Sequence, residues 1–293
     1  MASNRELRQR IKSIQNISQV TKALETVSAS KVKSATKAAL NSRPYSEKAW
    51  KVLKHLAQQP GHESVHPLLT DRESINNILI ILITSDRGLN GAYNTNITKY
   101  TFDYFSNDKS SYSFVTVGKK GRDLLRRREM KIIADFSDLP DHLQYSDLSL
   151  LGSKVIDEFM NKNNDEVYIA YTDFVSMAVQ KPTITRLLPI TIDMSNSDET
   201  KQHEVNSNAS YIYEPEQTEL LNQIIPRFTS VQIYQSILSA QASDHAARMI
   251  AMRNATENAV ELSSKLQLVY NKARQQTITN DILDIVGGSS AIG

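Results

Sequence analysis

Glycine and proline are missing from two long stretches of this chain. Nine Gly and eight Pro are spread through its 293 residues, yet neither type occurs in residues 1–43 and only Pro44 interrupts before Pro60-Gly61. At the other end nothing breaks the backbone between Pro226 and Gly287. Proline removes a helical donor and clashes with the preceding turn, and glycine adds an entropic cost, so both interrupt helices. The two stretches are therefore free to form helices of roughly 65–85 Å and roughly 90 Å at 1.5 Å per residue. That is several times the length of an ordinary globular helix.

Apolar spacing indicates what such helices would pack against. Leu7, Ile11 and Ile14, then Val20, Leu24 and Val27, recur at steps of three and four. Ala255, Ala259, Leu262, Leu266, Val269 and Ala273 do the same, followed by Ile278, Ile282 and Ile285. A repeat near 3.5 residues keeps one narrow seam turned toward a partner helix. The alternative, two helices of an ordinary compact bundle, would need turns inside these spans.

The middle of the chain is of another kind. Asn77 to Thr84 contains the run Ile78–Ile83, the pattern of a strand buried on both faces of a parallel sheet. Ser113–Val117 and Glu166–Tyr171 are further strand candidates, with helical patterns at about 95–106 and 146–162. This alternation predicts a small βαβ domain. Residues 193–210 are polar and unpatterned, as in a loop. The expected fold is thus α/β: a long antiparallel two-helix coiled coil formed by the terminal helices, with an inserted Rossmann-like domain. Its divisions are an N-terminal helix over 1–59, a linker over 60–76, the α/β domain over 77–210 and a C-terminal helix over 211–293.

Composition narrows the chemistry. With no cysteine in the sequence, disulfides, thiolate nucleophiles and Cys-ligated zinc are excluded. The longest apolar run has six residues, far short of a membrane span. The basic N-terminus lacks a following apolar segment and does not read as a secretory signal. Charge is unevenly placed: residues 1–60 hold 12 Lys and Arg against three Glu, a net +9, while the whole chain is +2. A basic arm of this kind suits nucleic acid, anionic lipid or an acidic protein surface. Against nucleic acid, no aromatic residue precedes Tyr45, so stacking platforms are missing.

Three motifs invite a chemical reading. His62-Glu63-Ser64-Val65-His66 matches the H-E-x-x-H zinc pattern, but it lies between Pro60-Gly61 and Pro67, which leaves no room for the helix that the motif needs. It reads as a linker. Ser85-Asp86-Arg87-Gly88-Leu89-Asn90-Gly91-Ala92 follows the strongest strand, yet it is neither a Walker A loop nor G-x-G-x-x-G, and a structural turn is favoured over a phosphate cradle. Gly118-Lys119-Lys120-Gly121 is a basic loop after the next strand. No Ser/His/Asp set can be assembled, and no cofactor is expected.

The ends of the chain resemble the F-type ATP synthase gamma subunit family. The run Ile14-Gln15-Asn16-Ile17-Ser18-Gln19-Val20-Thr21-Lys22-Ala23-Leu24-Glu25, continuing through Ser28–Lys31, is similar to the family's N-terminal signature. Ala246–Met252, Asn254–Ala259, Tyr270–Gln275 and Ile285–Gly288 are similar to its C-terminal helix. Ser85–Gly91, Pro182–Ile184 and Leu187–Pro189 resemble segments of its Rossmann-like domain and Tyr211–Pro215 the segment that leads into its last helix, while residues 119–145 match poorly.

The resemblance implies a non-catalytic shaft inside a hexamer of alpha and beta subunits. Further partners would be the epsilon subunit and the c-ring, with peripheral attachment to the membrane through the complex and no nucleic acid. Arg274, Gln275 and Thr279 would meet a catch loop of beta. Lys22, Lys31 and Lys33 would face acidic beta segments, though Lys22 also suits a plain solvated role. Ile282, Ile285, Val286 and Ile292 would turn in a hydrophobic collar. Tyr213 and Glu214 would touch the ring or epsilon, unless Tyr213 is core. The expected location is the cytoplasmic face of a bacterial membrane, with the matrix side of the mitochondrial inner membrane as the alternative. Two rival classes stay open: a nucleotide-dependent enzyme using Asp86–Ala92, and a coiled-coil adaptor unrelated to ATP synthesis.

Overall fold

In a computed structural model of the chain, residues 4–57, 67–106, 110–140, 143–190 and 217–292 are described. Helix α1 runs from Asn4 to Ala57 and α5 from Gln217 to Ile292. Pro44 and Pro226 sit inside these helices without ending them. The chain forms two compact units, Met1–Ser30 with Arg248–Gly293, and Lys31–Ala247.

In the first unit the helices pair antiparallel. Asn4 bonds Thr277, Thr21 bonds Thr256 and Glu25 bonds Arg253, so partners descend α5 as they climb α1. The seam corrects the sequence reading. On α1 the sheltered positions are Leu7, Ile11, Ile14, Ser18, Thr21, Glu25 and Ser28, an unbroken alternation of four and three. Val20 and Val27, expected in the seam, are 60% and 53% exposed, and Leu24 lies at its edge. On α5 the sheltered series is Met252, Thr256, Ala259, Ser263, Leu266, Tyr270 and Ala273. Ala259, Leu266 and Ala273 match expectation, and Ala255 is half-buried beside the series. Leu262 and Val269 are out of it, at 48% and 52% exposed. Hydrophobicity misleads where the seam passes through small and polar side chains, Ser18, Thr21, Glu25 and Ser28 on α1 and Thr256, Ala259 and Ser263 on α5.

The second unit holds a five-stranded sheet: β1 (Asn77–Ile83), β2 (Ser111–Val117), β3 (Lys131–Phe136), β4 (Glu166–Phe174) and β5 (Gln180–Leu188), in the order β3-β2-β1-β4-β5. The first four are parallel and β5 runs antiparallel to β4. Between them lie α2 (Tyr93–Tyr104), α3 (Lys119–Arg127) and α4 (Ser149–Met160). Central β1 explains its own composition. Ile78, Ile80 and Leu82 pack with Ile97 of α2 and Leu125 of α3 on one face. Leu79, Ile81 and Ile83 pack with Val155 and Phe159 of α4 and Ile233 and Ile237 of α5 on the other. Both faces being covered, the strand shows no alternation.

β3 and β5 were not among the strands expected from sequence. Both are edge strands, only half-buried, and so lack the continuous apolar run. Pro182 is tolerated within β5 because an edge strand has a side with no ladder to donate to. The expected loop at Gly118–Gly121 is instead the start of α3, whose Gly121 and Leu125 face inward while Arg126 and Arg127 face water. Gly118 adopts φ 99°, and a Cβ there would lie 2.3 Å from the Thr84 carbonyl oxygen.

Candidate partner-binding surfaces

Within the first unit, one carboxylate ties the helices together. Glu25 is buried in the seam, where Arg253 Nε donates to its Oε1 at 3.2 Å and Lys22 Nζ to its Oε2 at 3.0 Å. The Lys22 hydrogen bond, with help from Arg253, holds this carboxyl below the usual glutamate range against the opposing pull of burial. One repeat toward the N-terminus, Thr256 Oγ1 donates to Thr21 Oγ1 at 2.7 Å, and Thr21 donates on to the Ser18 carbonyl at 3.1 Å. These cross-bonds are directional and fit only one register.

Toward its end α5 changes character. Asn4 Nδ2 donates to Thr277 Oγ1 at 3.1 Å, so later α5 residues lie past the first described residue of α1. Ile278, Ile282, Leu283, Ile285 and Val286 are all exposed, Ile285 at 72%. At about 100° per residue these five, with Thr279, form a stripe roughly 160° wide, opposite Asn280, Asp281 and Asp284. An exposed apolar stripe of this width is a candidate interaction surface.

In the second unit, the loop between β1 and α2 closes on itself and on α5. Asn94 Oδ1 accepts from the Ser85 backbone N–H at 3.0 Å, while Asn94 Nδ2 donates to Ser85 Oγ at 2.8 Å. Asn90 Nδ2 donates to Ser85 Oγ at 3.0 Å and to Asp244 Oδ1 at 2.6 Å. Tyr93 donates to the Ala240 carbonyl at 3.0 Å. The loop is the structural turn expected from sequence, with its polar groups spent internally.

The expected contact residues fall in several places. Arg274, Gln275 and Thr279 are exposed on α5, where Thr279 Oγ1 donates to the Gln275 carbonyl at 2.9 Å and keeps the pair on one side of the helix. Ile282, Ile285 and Val286 lie in the apolar stripe. On α1, Lys22 is exposed and paired with Glu25, Lys33 is exposed and Lys31 is half-buried. The backbone of Ile292 ends α5. Tyr213, Glu214, the polar segment 193–210 and the His62–His66 motif lie outside the described residues. Sequence reasoning missed Glu25, Thr21 and Thr256 as seam residues, and Arg253 as the exposed side chain that reaches Glu25. Counting heptads from Leu7 without a break finds the two on α1.

Two long helices paired antiparallel, one with exposed apolar residues near its end, and an α/β sheet joined to them in sequence define an α/β protein with a Rossmann-like domain inserted between long terminal helices. The family described as ATP synthase matches residues 3–292. An ATP synthase gamma chain from Dehalococcoides mccartyi is 44% identical over 293 residues, covering all of both chains. One from a Roseiflexus species is 38% identical over 295 residues, covering all of this chain and 99% of the relative. Among solved structures, a chain of the Euglena gracilis mitochondrial ATP synthase (OSCP/F1/c-ring) is similar with a TM-score of 0.68 at 19% identity, over 99% of this chain and 94% of that one. A chain of the Tetrahymena thermophila mitochondrial ATP synthase central stalk and c-ring has a TM-score of 0.60 at 21% identity, over 80% and 99%. The chain belongs to the ATP synthase gamma chain family.

Proposed function

We propose that this chain is the central rotor shaft of an F-type ATP synthase, passing torque between an ion-driven membrane ring and a catalytic hexamer of alpha and beta subunits. The single observation that carries this reading is the exposed apolar stripe of Ile278, Ile282, Leu283 and Ile285 on α5, which suits an enclosing collar. Non-directional apolar contacts oppose rotation less than fixed hydrogen bonds do. Under this reading Ile282, Ile285 and Val286 turn in the collar. Arg274, Gln275 and Thr279 make charge-assisted and polar contacts with a beta loop that break and re-form at each step. Lys22, Lys31 and Lys33 face acidic beta segments, and Tyr213 and Glu214 meet the c-ring or epsilon.

The shaft itself performs no bond chemistry. An asymmetric rod makes different contacts with each of three otherwise identical beta subunits, and that difference in free energy couples rotation to nucleotide affinity. In this reading the paired helices act as the shaft, and the α/β domain is the part nearest the ring. No helix among the described residues is long and apolar enough to cross a membrane, which suits peripheral attachment through the complex. A bacterial assembly would hold the chain on the cytoplasmic face.

Reconstitution tests the proposal. Alpha and beta subunits with this chain should show rotary, ion-coupled ATPase activity that alpha and beta alone lack. Equal activity with and without the chain would sink it. Arg274→Ala with Gln275→Ala should impair coupled ATP synthesis while the chain stays folded, and unchanged synthesis would remove the beta-loop assignment.

A further inference from the structure

In open α/β sheets, ligands bind where the strand order reverses, in the crevice beyond the carboxyl ends of the two strands at that point. Here that point lies between β1 and β4, since the crossovers lead outward from β1 through β2 to β3 and then return to β4 on the other side. The rim of the crevice carries Asn90 and Tyr93 after β1, and Asp173 and Phe174 at the end of β4.

The rim groups are bonded to α5. Asn90 reaches Asp244 and Tyr93 reaches the Ala240 carbonyl on one side. On the other, Ser239 Oγ donates to Asp173 Oδ1 at 2.8 Å and accepts from the Phe174 N–H at 2.9 Å. One short stretch of helix, Ser239 to Asp244, thus joins both walls. Within the loop that the nucleotide-enzyme alternative would use, Asn90 is engaged with the chain's own helix.

We propose that this crevice is a socket for α5, and that Asn90 and Asp244 form the clasp through which twist passes between the helix and the α/β domain. The clasp suits the task because of where its hydrogens go. Asn90 is buried and spends one amide hydrogen on Ser85 and the other on Asp244. Its Oδ1 accepts from Asn94 Nδ2 at 3.3 Å. Its amide plane is therefore fixed from the loop side, and the bond it presents to Asp244 has one direction. Apolar packing alone lets a helix roll slightly about its axis, since its contacts are non-directional. A charge-assisted bond off the axis resists that roll. Asn90 and Asp244 are positioning residues, acting by holding the helix against the loop.

This inference rests on the rotor reading. Its test uses the assembled complex with alpha and beta immobilised and a bead attached to the α/β domain, and reads the spread of bead angles at a fixed dwell. Asp244→Ala should widen the spread severalfold and lower ATP synthesis at a given ion gradient, while unloaded ATP hydrolysis stays at the wild-type rate. A spread equal to wild type overturns the clasp. If Asp244→Ala does not assemble, Asn90→Ser carries the same test: it keeps a hydroxyl against Ser85 but cannot span to Asp244. A wild-type chain that shows no rotation at all overturns the rotor reading itself, and the clasp with it.

Discussion

Glu25 of α1 and Arg253 of α5 meet across the helix pair, Nε to Oε1 at 3.2 Å, with the carboxylate sheltered and the guanidinium mostly in water. Lys22 and then Arg253 lower the Glu25 pKa. Its folded value lies below the ordinary one of about 4.3. The contribution to stability is therefore complete above that ordinary value and is lost as pH falls toward the folded value. Thermal melts of the wild-type chain should drop on acidification below about pH 5 more steeply than those of Glu25→Gln. Parallel curves for the two proteins would remove Glu25 as the source.

Burial makes opposite predictions for two valines of α1, Val20 outside the corrected seam and Val32 fully enclosed. Val20→Asn, at an exposed position, should change the stability of the isolated chain by less than about 0.5 kcal/mol. Val32→Ala, at a position with no exposure, should cost about 2 kcal/mol. Denaturant titrations of the two variants decide the matter, and the reverse ranking would restore the apolar-only seam.

Gly121 sits where α3 crosses Thr84. A Cβ there would meet Thr84 Oγ1 at 2.6 Å and Cγ2 at 2.9 Å, and the Gly121 N–H already donates to that Oγ1 at 2.8 Å. Gly121→Ala should destabilise the chain by about 1–3 kcal/mol through this overlap. A wild-type melting temperature for the variant would mean that α3 can shift without cost.

The apolar end of α5 separates stability from assembly. Ile282→Asp with Ile285→Asp should leave the melting of the isolated chain nearly unchanged, because both side chains are already in water. In the reconstituted complex the same pair should slow or stall rotation, since carboxylates in an apolar collar stay charged only at a cost of several kcal/mol. Rotation at wild-type speed would remove these residues from the bearing.

How much was legible in advance depends on which force shapes each element. Long helices could be read because glycine and proline act locally, and β1 because burial on both faces needs an unbroken run. The seam was misread where Ser18, Thr21, Glu25 and Ser28 replace apolar residues, since a hydrogen bond across two distant segments leaves no periodic hydrophobic trace. β3 and β5 escaped for a related reason: edge strands need only half a hydrophobic face. The expected contact residues of α5 were chosen by resemblance. Asn90–Asp244 joins positions 154 residues apart, and nothing in either neighbourhood announces the other.

The exposure of Ile278, Ile282, Leu283 and Ile285 past Thr277 has a consequence for how the assembly forms. These last turns continue a helix that is already nucleated, so each adds its own backbone bonds but buries little apolar surface. This end of α5 draws little help from packing within its own chain. Under the proposed rotor reading, the hydrophobic gain of this segment is deferred from folding to assembly, when the collar takes its isoleucines out of water.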